Sequence, residues 1–276
     1  MPDAGLVILR KSSMMMKMNI VEYEQMATME KFYWWHVGRN RIITDQLKKI
    51  TKAKKRVKIL NIGCGTGGTI PLLKKFGKVT NVDNSPEVAK YLKRNGIKDV
   101  VLVDSLKLPF QDNEFDIVVG FDVLEHIKQE DTALKEWRRV IKPDGHLFLT
   151  VPAYQWLWSE HDIGLHHFRR YTTKRLKQRV TKNGFQPKKV SYAIAFSLPM
   201  IVTFRYAKKG LQALKPGKSE AKQHSEISSY IKVPDSVNKL FSRILFLESR
   251  ALKHVNFPFG TTVLTVARNK ERAPRS

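Results

Sequence analysis

The chain has 276 residues, of which 42% are hydrophobic and 27% charged, a balance that excludes general disorder and allows a sizeable buried core. Fifty Lys and Arg oppose 25 Asp and Glu for a formal charge of +25, and residues 151–276 hold 24 of the basic side chains against seven acidic ones, a surface suited to anionic partners. The lone cysteine, Cys64, excludes an intramolecular disulfide and suits a reducing cytoplasm, and no apolar run reaches the ~20 residues of a membrane-spanning helix.

In chain order, residues 1–18 are expected to be disordered, and the methionines at 14–18 suggest a later start. Residues 21–50 read as helical, and a lysine-rich connector follows at 51–56. Strands and helices then alternate in the rhythm of a parallel sheet. Strands are expected at 57–62, 78–82, 99–103, 115–120 and 146–151, the last one after a turn at 142–145. Helices are expected at 69–76, from Pro86 to a stop at Asn95-Gly96 with Ser85 as cap, and at 131–140. A basic helix at 173–183 precedes strands at 190–196 and 261–267. Between those two lie an apolar piece at 196–206, a polar linker at 215–229 and an amphipathic helix at 236–255.

Residues 61–67, Asn-Ile-Gly-Cys-Gly-Thr-Gly, end the first strand and open a helix. Glycines there let backbone approach a ligand, and the helix start offers free N–H groups. The glycines alone do not choose between a dinucleotide and S-adenosylmethionine. The acids add information, because each follows a strand: Asp83-Asn84 the second, Asp104-Ser105 the third and Asp122 the fourth. Open α/β sheets bind ligands at that edge, and Asp83 stands where a carboxylate can accept both ribose hydroxyls.

On these residues, together with Leu108-Pro109-Phe110, Phe115-Asp116-Ile117-Val118, Val123-Leu124-Glu125-His126 and Lys142-Pro143-Asp144-Gly145, the segment 57–152 resembles class I S-adenosylmethionine-dependent methyltransferases of the type 11/12 group. The resemblance implies an α/β, Rossmann-like sheet of seven strands, the last antiparallel, with S-adenosylmethionine as methyl donor. It puts Gly63 and Gly65 at the methionine moiety, Asp83 at the ribose and Asp104 at adenine. The family usually has an acid where this chain has Asn61, which predicts weaker cofactor binding. Trp34-Trp35 and Gly38-Arg39-Asn40-Arg41 resemble the segment that precedes the glycine motif in this group, and by that resemblance Arg39 approaches the cofactor carboxylate.

The acceptor is expected beside residues 154–171, where Tyr154, Trp156, Trp158, His161, Asp162, His166, His167, Arg169, Arg170 and Tyr171 cluster. Either His161 or His166 can act as base with Asp162 orienting it, and His126 joins them as a catalytic candidate. Asp162 and these histidines, with Glu125 and His126, also suit a divalent metal, but their spacing is not diagnostic and no metal is expected. Structural roles are the alternative. Arg169 or Arg170 can meet an anionic substrate group or a salt bridge to Glu160.

Five parts are expected: an N-terminal tail at 1–18, a helical segment at 19–56, a methyltransferase core at 57–196, a helical insertion at 197–258, and a last strand with basic tail at 259–276. The insertion fits an element that rests on an anionic membrane surface or covers a lipidic substrate, or else a helical cap that closes the pocket. The expected partner is a small or lipid-linked acceptor, methylated on O or N, with no obligate protein partner. The expected location is cytoplasmic and peripheral to the inner face of the membrane. Rival readings are an RNA methyltransferase, suggested by charge, an NAD-dependent oxidoreductase, and a noncatalytic membrane-associated module that kept the fold.

Overall fold

In the computed structural model, which describes residues 20–51, 57–203 and 233–270, two helices precede the sheet: α1 (Ile20–Phe32) and α2 (Trp34–Thr51). The expected tail at 1–18, most of the lysine-rich connector and the linker at 215–229 lie outside the described residues.

The sheet has seven strands: β1 (Val57–Ile62), β2 (Gly77–Asp83), β3 (Val100–Leu102), β4 (Phe115–Phe121), β5 (Ile141–Pro152), β6 (Phe185–Ala193) and β7 (Thr262–Asn269). Their order is β3-β2-β1-β4-β5-β7-β6. β1 to β5 pair in parallel, while β7 runs antiparallel between β5 and β6. The strand order reverses between β1 and β4, which creates the crevice where such sheets bind ligands.

Period-two alternation sorts the strands' side chains onto two faces. On one face Leu60, Ile62, Val118, Leu147 and Leu149 pack with Leu134 and Trp137 of α5 (Glu130–Val140) and with Leu176 and Val180 of α7 (Thr173–Lys182). On the other, Val57, Ile59, Ile117, Val119 and Phe148 meet Ile43 and Leu47 of α2 and Leu245 and Leu252 of α9 (Asp235–Leu252). Three helices connect or extend this frame: α3 (Ile70–Lys74), α4 (Pro86–Arg94) and α6 (Glu160–Gly164). A further helix, α8, begins at residue 197 and is described to residue 203.

Local chemistry fixes the boundaries. The Ser85 hydroxyl accepts the Val88 N–H and starts α4 at Pro86, as expected. Thr172 caps α7 in the same way through the Arg175 N–H. Three elements differ from the sequence reading. The turn at 142–145 does not separate α5 from β5: it is a bulge inside β5, where pairing jumps from Phe115↔Ile141 to Ile117↔His146. β6 begins at Phe185 rather than 190, and its Pro187 is tolerated because β6 is an edge strand with a register shift there. α3 is shorter than expected, ending at Lys74.

The helix α9 does not stand away from the core. Leu245 fills the space over Gly38, where a Cβ would come within 2.0 Å of its Cδ1. Asn238 accepts from the Trp34 N–H and donates to the Phe32 carbonyl, both at 2.8 Å, and so holds the junction of α1 and α2. Glu248 accepts the N–H groups of Ile194 and Ala195 after β6. Leu240 and Leu247 of this helix remain exposed.

Candidate active site

Register brings five loop starts to one edge of the sheet. Ile62 pairs with Val82 and Gly120, Asp83 with Leu102, and Phe121 with Thr150, so Gly63, Asp83, Asp104, Asp122 and Tyr154 all emerge at the carboxyl ends of the parallel strands.

The glycine turn requires its glycines. Gly63, Gly65 and Gly67 have φ of +68°, +52° and +82°, a region that side chains disfavour. A Cβ at Gly63 would lie 2.4 Å from Cγ2 of Val123, so the loop after β4 sits directly on the turn. At Gly65 a Cβ would meet nothing within 4 Å, and the space beside it is open. Asp83 braces this arrangement: its carboxylate accepts the Gly65 N–H at 3.0 Å and the Ser85 N–H at 3.0 Å. Burial raises its pKa against the pull of those bonds. Asn84 is exposed next to it.

Asp104 is also exposed, its Oδ1 accepting the Leu106 N–H at 2.9 Å, while the Ser105 carbonyl accepts from the Trp137 indole at 3.0 Å. Asn61 is buried and donates to Asn81 Oδ1 at 3.0 Å across the β1–β2 rung. That bond commits one amide hydrogen to the sheet and leaves the carbonyl oxygen as its acceptor.

Of the two arginines at the start of α2, the structure turns Arg39 toward the site. It pairs with Asp122, lies 4.9 Å from the Trp35 ring centre, and is largely buried. Asp122 itself holds φ +56° and accepts from the Thr150 hydroxyl at 3.2 Å. Arg41 points the other way, to Asp45 and the Phe246 ring. Glu30 carries no signal in the sequence: from α1 it accepts the Thr66 hydroxyl at 2.6 Å and so lays α1 across the glycine turn. Burial raises its pKa.

On the acceptor side the expected pairing changes. Asp162 orients neither His161 nor His166, both of which are exposed; it accepts from His167 Nδ1 at 2.9 Å and from Arg170 at 2.7 and 2.9 Å. The reason is local: Asp162 caps α6 through Ser159 and turns inward, and His166, at φ +54°, folds the chain back so that His167 meets it. Burial works to raise the Asp162 pKa, but the His167 and Arg170 hydrogen bonds outweigh it and hold the carboxyl well below the usual range. Arg170 is thereby committed, and Arg169 is held by the carbonyls of Ile127 and Lys128 and by Glu130; neither forms the expected bridge to Glu160. Tyr171, fully buried, donates to Glu130 at 2.6 Å and is structural. Tyr154 stacks between Trp156 and Tyr192, at 5.3 and 4.8 Å between ring centres.

His126 lies in a 3₁₀ turn, Leu124–His126, directly after Val123. Burial first, then the neighbouring His167, lower its pKa to about 3, so its imidazole is neutral at pH 7. Glu125 beside it is fully buried, and burial reinforced by Asp122 raises its pKa well above the ordinary value.

Residues 60–149 match the family of the methyltransferase domain, across the glycine turn, Asp83, Asp104, Asp122 and the Glu125-His126 pair. That match lies on a seven-stranded sheet with the Rossmann-like fold of class I methyltransferases. A demethylmenaquinone methyltransferase of Staphylococcus aureus (strain MRSA252) is 37% identical to this chain over 154 residues, covering 50% of the chain. The chain spans 61% of that relative's length. Solved structures agree on the fold: a SAM-dependent methyltransferase from Archaeoglobus fulgidus has a TM-score of 0.51 at 18% identity, with 88% of this chain and 99% of that one covered. The [4+2]-cyclase SpnF has a TM-score of 0.52 at 18% identity, covering 84% and 81%. A cyclase on the same frame means that the fold does not name the reaction. Among the described residues, no helix is long and apolar enough to cross a membrane.

Proposed function

We propose that the chain transfers a methyl group from S-adenosylmethionine to an oxygen or nitrogen of a small or lipid-linked acceptor. The observation that carries this reading is the open cradle at Gly65, where a Cβ meets nothing within 4 Å, bordered by the buried carboxylate of Asp83. Backbone there can lie against a ligand, and Asp83 can exchange its bond to the Gly65 N–H for ribose hydroxyls. Bound in that cradle, the cofactor supplies a methyl group on a positively charged sulfur, open to in-line displacement.

The other residues have roles that follow from their places. Asp104, Ser105 and Asn84 border the adenine end. Asn61 accepts through its carbonyl oxygen near the methionine end without the charge of a carboxylate, which weakens its hold on an ammonium. Arg39, released from Asp122, is the cation for a ligand carboxylate. For the acceptor, Trp156, Ile163 and Phe168 present apolar side chains that are 60%, 53% and 51% exposed around the segment that follows β5. Those side chains, and the name of the Staphylococcus relative, support an apolar, lipid-linked acceptor. Holding the nucleophile in line accounts for much of such catalysis, and a hydroxyl acceptor also needs its proton taken, for which His161 and His166 are accessible.

Calorimetric titration with S-adenosylhomocysteine tests the reading, with Asp83→Ala and NADH as controls. Binding by the wild type that falls at least ~10-fold in Asp83→Ala, the effect of losing a hydrogen bond to a charged group, is the expected result. Binding of NADH in place of S-adenosylhomocysteine would favour an oxidoreductase, and binding of neither a noncatalytic module.

A further inference from the structure

We propose that Glu125, His126 and His167 bind one divalent transition-metal ion. A carboxylate oxygen of Glu125 and one ring nitrogen from each histidine lie within 4.8 Å of one another. The side chain of Glu125 has no exposure, and among the described residues neither of its oxygens has a side-chain or neighbouring backbone hydrogen-bond partner. A buried carboxyl left so is costly, and most such groups in folded proteins are matched by a donor or a cation. The nearby arginines act on it only through their charge, since Arg170 is hydrogen-bonded to Asp162 and Arg39 is paired with Asp122.

Both histidines are prepared as ligands. The Nδ1 of His167 is held by Asp162, itself anchored by the Arg170 fork, and His126 is hydrogen-bonded to the Leu165 backbone. An oxygen that fixes one nitrogen of the imidazole, leaving the other for the ion, is the usual support of metal-bound histidine. The two rings stand at 82° with centres 4.6 Å apart. The segments that carry them are locked together, since the Phe168 N–H donates to the Glu125 carbonyl at 2.8 Å and Arg169 grips Ile127 and Lys128. Ligands bonded at ~2.1 Å in a tetrahedral arrangement lie about 3.4 Å apart, so the side chains draw together by up to about an ångström on binding.

Two imidazoles and a carboxylate suit zinc, cobalt, nickel or ferrous iron, and disfavour calcium and magnesium, which prefer oxygen alone. Three protein ligands leave a coordination position open. The cluster follows Asp122 and Val123, and Val123 packs on Gly63 of the cofactor turn. The metal site does not depend on the methyl-transfer reading.

The test uses the full chain freed of metal with a chelator, titrated calorimetrically with zinc chloride and followed by visible absorption with cobalt chloride, no methyl donor being present. One equivalent of either ion is expected to bind. Glu125→Gln and His167→Gln should each weaken zinc at least ~10-fold and abolish the cobalt absorption, with far-ultraviolet dichroism unchanged. Asp162→Asn, which loosens His167 without removing a ligand, should cost about 10–100-fold in affinity. His254→Gln, an exposed histidine elsewhere, should bind as the wild type does. Wild-type binding no tighter than that of folded Glu125→Gln, or equal losses in His254→Gln, would overturn the site. S-adenosylhomocysteine binding is read separately, so either proposal can fail alone.

Discussion

A Cβ at Gly63 would stand 2.4 Å from Val123, whereas at Gly65 it would meet no atom within 4 Å, and the two positions share a positive φ. The backbone cost of alanine at φ above zero is about 1–2 kcal/mol for each. Gly63→Ala adds overpacking of about 1–3 kcal/mol, because Val123, half-buried, packs against the core and has little room to yield. Gly65→Ala should therefore be the more stable of the two in urea denaturation, yet lose S-adenosylhomocysteine binding by at least ~10-fold, since the added methyl occupies the cradle. Equal stability of the two variants would count against the close approach of Val123. Both glycines were legible in the sequence, because a glycine turn after a strand is a local signal. The partner of Asp162 was not: His161, His166 and His167 are equally available by sequence, and only the fold-back at His166 selects the third.

Between α2 and α9 the contact is dense and partly polar. Asp45, its side chain fully buried, accepts from Ser249 at 2.8 Å and pairs with Lys253 at 3.2 Å and Arg41 at 3.2 Å. Burial acts to raise its pKa, but the Ser249 and Lys253 hydrogen bonds, with the charges of Arg41 and Lys253, bring it below 3.8. A depressed carboxyl stabilises the fold above its unfolded value, near pH 4, and that contribution is lost as pH falls through the folded value. Asp45→Asn should cost about 1–2 kcal/mol at pH 7, the cations being about a third exposed, and the difference from wild type should shrink below about pH 4. Chemical denaturation across that range checks it, and a constant difference would refute the assignment. The apolar half of the contact is tested at Gly38. Gly38→Ala should destabilise by about 1–3 kcal/mol, and Leu245→Ala in the same chain should recover part of that loss, a coupling that a double-mutant cycle reads directly. The sequence marked α9 as amphipathic but could not say what its apolar face meets; α2 lies some two hundred residues away, and Gly38 gives no hint of Leu245.

With a formal charge of +25, the whole molecule should adhere to anionic surfaces. Cosedimentation with vesicles rich in phosphatidylserine is expected in low salt and should be lost near 1 M salt, where the screening length falls to ~3 Å. Retention in high salt would instead assign the contact to exposed apolar side chains such as Leu240 and Leu247. The sequence by itself determined the sheet, the glycine turn and the acids that follow each strand, because period-two alternation, glycine at positive φ and residues at strand ends act within a few residues of one another. The tertiary structure decided what those local rules leave open. It gave His167 to Asp162, laid Glu30 over the turn and sealed Glu125 beside two histidines. Each of these depends on which distant segments pack together, and desolvation and charge at such a meeting exist only once the chain has folded.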